Sequence, residues 1–353
     1  MFKILDLYIA RTLLGTVTVT LSVLIGLSAL IKFVEQLRKV GEGDYDMMVA
    51  FLYVVLSLPR DLEQFFPMAT LLGGLIGMGV LASNSELVVM QAAGMSRWNI
   101  IVSTMKSATI MILLVMAVGE WVTPFSESKA KEIRTEAISG GSLFSSEQLV
   151  WAKDGEHFVS IGEVLSRDSL KDINIFDFND DLSLESITYA KSGNFDGSEW
   201  RLSEVDVTRF SETAVTLDNK ESMQWNSTLT PDKLGIVAVK PEALSISGLL
   251  DYVGYLANNG QDPSRYELAL WRKILQPVSV GVMLLMALSF IFGPLRSVTM
   301  GARVIMGVLT GFGFFILNEV FGPLSLVYQI PPFLGALLPS LLFAAIAAIM
   351  LRK

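Results

Sequence analysis

Six apolar runs free of acidic residues over most of their length punctuate the chain, and each is long enough to cross a bilayer. A helix needs about 20 apolar residues to span the hydrocarbon core. The runs are Thr12–Ile31, Gln64–Ser85, Trp98–Gly119, Ile274–Leu295, Val304–Gly322 and Ile330–Leu351. The first is longer than a signal-peptide core of about 7–15 residues, and Lys32 follows where a cleavage site would stand, so it reads as a retained helix. Met47–Pro59 is apolar but too short to cross, and reads either as an interfacial helix or as an outer extension of the second span.

Between the third and fourth runs the pattern changes from continuous apolarity to alternation with period two. Leu149–Lys153, Asp154-Gly155 and Glu156–Ile161 form a hairpin signal. Asp172–Phe178, Ser186–Lys191, Trp200–Phe210, Ala214–Leu217 and Ser222–Leu229 continue the series, with a turn at Asn179-Asp180-Asp181. Short strands at such spacing predict a sandwich or barrel of jelly-roll type. Asp262-Pro263 then starts a helix, with a cap followed by proline at its first position, and that helix is expected to run through Trp271 into the fourth span. The expected fold is thus α-helical with six transmembrane helices plus an all-β domain. Its parts are 1–135, an N-terminal membrane half; 136–260, the β-domain with a helical return; and 261–353, a C-terminal membrane half.

Charge orients this layout. Residues 120–271 hold 26 acids and 13 bases, while the remainder holds 9 acids and 14 bases. The short segments on one side carry Lys3, Arg11, Arg97, Arg296, Arg303, Arg352 and Lys353 against Asp6 and Glu86. Basic loops stay cytoplasmic, which puts both termini inside and the acidic β-domain outside. The chain has 353 residues, one His and no Cys. Thiolate chemistry, disulfides and Cys- or His-based metal clusters are therefore excluded. No Gly-x-x-x-x-Gly-Lys-Ser/Thr stretch is present to cradle a nucleotide phosphate, and His157 has no hydrolase set around it. So acidic a chain offers nothing to nucleic acid.

Three features carry candidate chemistry. Ser83-Asn84-Ser85-Glu86 fits a capping box, followed by Leu87, Val88, Val89 and Met90 and a stop at Gly94. This predicts a helix of about ten residues on the cytoplasmic face, either a capped element lying in the lipid interface or a coupling helix that docks into a soluble partner. On the outer side, Lys32, Arg38 and Lys39 follow the first span, and Lys131 and Arg134 follow the third. They form either a solvated face, with Glu35 pairing to Lys39, or a basic rim for phosphates. Gly73, Gly77, Gly307 and Gly311 stand four apart in two spans, the spacing of close helix packing. Asn318 and Glu319 are polar residues near the outer end of a span.

Several blocks then become familiar together: Ser85–Gly94, Ile31–Leu37, Phe65–Ala69, Gly119–Val122, Leu229–Gly235, Leu244–Leu249 and Ala287–Ser297. They resemble the LptF/LptG permease family of the bacterial lipopolysaccharide export ABC transporter. Ser85–Gly94 and Thr230–Gly235 favour the LptG side, with an LptF-like partner subunit or a non-transporting membrane scaffold as alternatives. The resemblance implies a non-catalytic permease subunit in the inner membrane of a Gram-negative cell. Its implied partners are an LptF-like subunit, an LptB-like ATPase dimer that holds ATP and Mg, and an LptC-like periplasmic bridge. By the same resemblance Glu86, Leu87 and Met90 engage the ATPase, Lys32, Arg38, Lys39, Lys131 and Arg134 face lipopolysaccharide, and the first and fifth spans gate against LptF. No cofactor is implied for this chain.

Overall fold

The computed structural model describes residues 4–139, 150–231 apart from 156, 167, 180, 182 and 212, 241–293 and 299–352. Leu149, Glu156, Asp180 and Asp232–Gly235 lie outside the described residues, as do Lys3, Arg296 and Lys353 of the charge argument.

The N-terminal helices are α1 (Ile4–Leu37), α2 (Met47–Ser83), α3 (Glu86–Ala92), α4 (Arg97–Ala117) and α5 (Thr123–Ser139). A π-helical turn at Val118–Val122 joins α4 to α5 without a break in direction. Met47–Pro59 proves to be the outer extension of the second span, since α2 runs unbroken for 37 residues through Pro59 and Pro67. Asp46 starts it by accepting from the Val49 backbone N–H at 2.8 Å.

The C-terminal helices are α6 (Ile246–Asn258), α7 (Ser264–Ile274), α8 (Gln276–Phe292), α9 (Met300–Val327) and α10 (Pro332–Arg352). The helix begun at Asp262-Pro263 does not run into the fourth span as expected. It breaks at Leu275, and α7 and α8 meet at 50°. Pro277 in the first turn of α8 accounts for the break, because it lacks the N–H that a continuous helix would bond backward. Among the described residues five helices are long and apolar enough to cross a membrane, and the bent α7–α8 pair makes up to six.

Close approach through glycine fixes the first two spans. A Cβ on Gly73 would stand 2.5 Å from the Val17 Cα, and one on Gly77 would stand 2.6 Å from the Thr16 Oγ1. The Thr16 hydroxyl donates to the Gly73 carbonyl at 2.8 Å, a polar bond that this proximity allows. Gly307 and Gly311 of α9 similarly meet Leu75 and Met68 of α2. The main core joins Leu71, Leu75 and Met78 of α2 to Met283, Ala287 and Leu288 of α8. Burial is uneven: 72% of the most apolar window of α2 is covered, against 6% for α1. α2 is therefore the central post, and α1 presents most of its surface outward.

The β-domain is one six-stranded antiparallel sheet, β1 (Val150–Asp154), β2 (His157–Ser166), β3 (Ser169–Phe178), β4 (Leu184–Phe195), β5 (Trp200–Phe210) and β6 (Val215–Trp225), in chain order. The two short segments expected at Ala214–Leu217 and Ser222–Leu229 merge into β6. The described strands thus form an open meander, and no second sheet or jelly-roll closure is found among them. One face buries Val159, Ile161, Leu170, Ile173, Trp200 and Leu202 against Tyr252, Tyr255 and Leu256 of α6. The Trp200 indole N–H is satisfied by the Leu229 carbonyl at 2.7 Å.

Candidate functional site

On the face opposite the sheet, α3 forms in a different way from the capping box expected at Ser83. Ser85 takes the left-handed conformation at φ 60° and makes no side-chain cap, and the Ser83 hydroxyl turns back to the Val80 carbonyl. Glu86 is held from outside its own helix. One carboxylate oxygen accepts from the Tyr8 hydroxyl of α1 at 2.7 Å, and the other accepts from the Asn84 amide at 3.3 Å. The stop at Gly94 is a Schellman turn: at φ +96° its N–H bonds the Gln91 carbonyl, and Met95 N–H bonds the Met90 carbonyl. The helix has seven residues rather than about ten.

Its two faces are sharply divided. Leu87 and Met90 are 4% and 6% exposed, and they pack into the bundle core with Ile9, Ile100 and Ile101. Val88 and Val89 are 56% and 65% exposed. Of the three residues expected at a partner surface, Leu87 and Met90 are thus anchors, and Glu86 is partly open. The outward apolar surface belongs to Val88 and Val89.

The five basic residues expected to form a rim fall into different environments. Lys32 pairs with Asp61 of α2 at 2.5 Å, and Ser28 donates to the same carboxylate. Asp61 is 2% exposed, so Lys32 balances a buried charge. Arg134 places its guanidinium 5.3 Å from the Tyr53 ring centroid. Lys39 and Lys131 are half-buried, and Arg38 is exposed. The loop that carries Arg38 and Lys39 rests on the end of α5, where Asp44 N–H donates to the Ala137 carbonyl at 2.7 Å. The expected Glu35–Lys39 pair is not among the ion pairs of the described residues.

A polar hub that the sequence reading missed lies between these two regions. Lys273, at the end of α7, pairs with Glu63 of α2 at 3.2 Å and donates to the Gly119 carbonyl of the π-turn at 3.1 Å. Gln276 donates to the Glu63 carbonyl at 3.0 Å. Both charged side chains are about 10% exposed. Gly119 is required there, because a Cβ would meet the Glu63 carboxylate at 2.0 Å. Arg60 reaches Glu127 of α5 nearby, and Glu120 accepts from the Ile246 and Ser247 N–H groups that open α6. Glu120 thereby ties the spans to the helix under the sheet. A signal was available: Glu63 and Lys273 each stand one residue before a predicted span. A cavity of about 400 Å³ adjoins the hub, bounded by Arg60, Pro67, Arg272, Phe314, Asn318 and Glu319. Arg272 donates to the backbone carbonyl of Asn318 and lies 4.0 Å from Glu319, which gives Glu319 a cation partner in the fifth span.

Among the described residues no group of three His, Cys, Asp or Glu is placed to hold a metal. The geometry offers a seven-residue apolar knob bolted to a bundle at one end, and ion-paired helices tied to a β-sheet at the other. The family profile for the lipopolysaccharide export system permease LptF/LptG matches residues 7–353. The chain is 51% identical over 355 aligned residues to the lipopolysaccharide export system permease protein LptG of Escherichia coli K12, covering 100% of this chain and 99% of that protein. It is 49% identical over 345 residues to LptG of Haemophilus influenzae, at 97% and 96% coverage. To LptF of Escherichia coli K12 it is 25% identical over 218 residues, covering 60% of this chain and 59% of that protein. A match that runs through every span, the knob and the sheet places the chain in the LptF/LptG family of lipopolysaccharide export system permeases.

Proposed function

We propose that this non-catalytic permease subunit works on the LptG side of an ATP-driven exporter that extracts lipopolysaccharide from the inner membrane and passes it to a periplasmic bridge. The observation that carries the reading is the build of α3. An exposed Val88-Val89 pair on a helix pinned by Leu87 and Met90 costs free energy in water, and a soluble partner that covers it recovers that cost. The partner is an LptB-like ATPase dimer, which supplies ATP and Mg. Both termini and α3 are cytoplasmic in this reading, and the sheet is periplasmic. The open meander leaves β1 and β6 as its edges, where other periplasmic domains, including that of an LptC-like bridge protein, would join it in a jelly-roll-like assembly. The division into 1–135, 136–260 and 261–353 follows from the same arrangement.

An LptF-like subunit faces α1 and α9, the peripheral spans with apolar surface left uncovered. Arg38, Lys39, Lys131 and Arg134 meet lipopolysaccharide phosphates or sugars at the outer boundary, and Lys32 contributes after exchange from Asp61. ATP closes the lipid cavity that this subunit encloses with its LptF-like partner only if α3 binds one ATPase state better than the other. Each acyl methylene held in an apolar cavity is worth about 0.8 kcal/mol, so a multi-chain lipid needs that work for its release. Glu86→Ala in the purified complex tests the reading. Lipid release per ATP should collapse while the subunit still assembles, and full ATP-coupled release by the variant would refute it.

A further inference from the structure

We infer that Tyr8 is a positioning residue for Glu86, and that it makes the cytoplasmic end of α1 move with α3. This rests on the coupling role proposed for α3 and specifies how motion of that helix reaches a span.

The two residues lie 78 apart in the chain, yet the phenol donates to the carboxylate at 2.7 Å. Tyr8 is 45% exposed, so water was available to its hydroxyl and burial does not impose the bond. With Asn84 on the other oxygen, both carboxylate oxygens are engaged, and Glu86 is held in one orientation before any partner arrives. Pre-orientation matters because a charge-assisted contact is directional and loses strength when one partner must first be ordered.

Tyr8 does not act alone at this end of α1. One turn of helix supplies three attachments. The Ser103 hydroxyl of α4 donates to Asp6 at 2.6 Å, Ile9 is fully buried in the cluster that holds Leu87 and Met90, and Tyr8 takes Glu86. The first turns of α1 are therefore fastened to α3 and to the start of α4. Farther along, the close contact at Gly73 keeps α1 from sliding on α2. Beyond that contact Ser28 and Lys32 reach Asp61 of α2, and buried Gln36 accepts from the Tyr45 hydroxyl, so the outer end of α1 is held as well. A displacement of α3 is then passed to the cytoplasmic end of α1, while the outer end stays anchored on α2. The Tyr8–Glu86 bond is the part of this attachment that a cation of the partner can compete for.

The test uses the assembled exporter in lipid nanodiscs, with lipid released per ATP hydrolysed as the readout. Tyr8→Phe keeps the ring and removes the donor. Glu86→Asp keeps the charge and withdraws it by one methylene from Tyr8. Each single variant should lower the ratio by about threefold to tenfold, the worth of one partly exposed hydrogen bond to a charged group. The double variant should be no worse than either single one, and the thermal stability of the complex should be unchanged. Full coupling in Tyr8→Phe would overturn the inference, and so would a double variant whose loss is the product of the two singles. Glu86→Ala, run beside them, tests the coupling role itself. If Glu86→Ala uncouples and Tyr8→Phe does not, only the role of Tyr8 falls. If Glu86→Ala stays coupled, the reading beneath it falls.

Discussion

Lys273→Met isolates the polar hub. The substitution keeps most of the side-chain volume but leaves the Glu63 carboxylate without its ion pair at 3.2 Å and the Gly119 carbonyl without its donor. Both charged groups are about 10% exposed, so solvent replaces little of what is lost. Breaking a buried pair from one side costs about 3–5 kcal/mol, and most of this is the penalty for the charge left behind. The double variant Glu63→Gln, Lys273→Met leaves no buried charge, and replacement of a whole pair is often neutral. It should therefore recover all but about 1 kcal/mol. Reversible unfolding in mixed micelles, followed by intrinsic fluorescence, gives the three free energies for a double-mutant cycle. A Lys273→Met cost below about 1 kcal/mol, or a double variant as damaged as the sum of the singles, would refute the claim that this pair joins the two membrane halves.

Gly73→Ala puts a methyl against the Val17 backbone, which cannot move aside as a flexible side chain can, and should cost about 1–3 kcal/mol. Gly254→Ala at an exposed position of α6, where the new Cβ meets nothing within 4 Å, should be neutral or mildly stabilising in the same melt. Burial pushes the Tyr255 hydroxyl up to about 12, and that hydroxyl donates to the Lys153 carbonyl at 2.8 Å. Its folded pKa exceeds the unfolded value near 10, so its contribution is complete below pH 10 and is lost as the pH rises toward 12. Tyr255→Phe should cost about 1 kcal/mol near neutrality and flatten part of the alkaline loss of Trp fluorescence from the β-domain; an unchanged alkaline slope would contradict the assignment.

The parts of this structure set by local pattern were readable in advance. Long apolar runs located the five helices able to cross and the second arm of the bent α7–α8 pair, and period-two alternation located β5 to the residue. The Schellman stop at Gly94 followed from a glycine in the expected place. The rest depends on partners distant in sequence. The capping box failed because Ser83 is still the last residue of α2, and Glu86 accepts instead from Tyr8, 78 residues away. The inward face of α3 could not be read from four consecutive apolar residues, since Leu87, Val88, Val89 and Met90 carry no periodicity. Lys32 looked like a free cation until Asp61, 29 residues on, was brought beside it across α1 and α2. The hub joins three segments that sequence keeps far apart, and only the placement of Glu63 and Lys273 at span edges hinted at it.

The account depends on α3 and the sheet facing opposite compartments. The chain has no native cysteine, so Ser83→Cys and Ser198→Cys each introduce a single exposed thiol. Intact cells with permeabilised outer membranes are treated with a thiol reagent that cannot cross the inner membrane. The account predicts labelling at position 198, and labelling at position 83 only after lysis. Labelling at 83 with protection at 198 would invert the topology and contradict it.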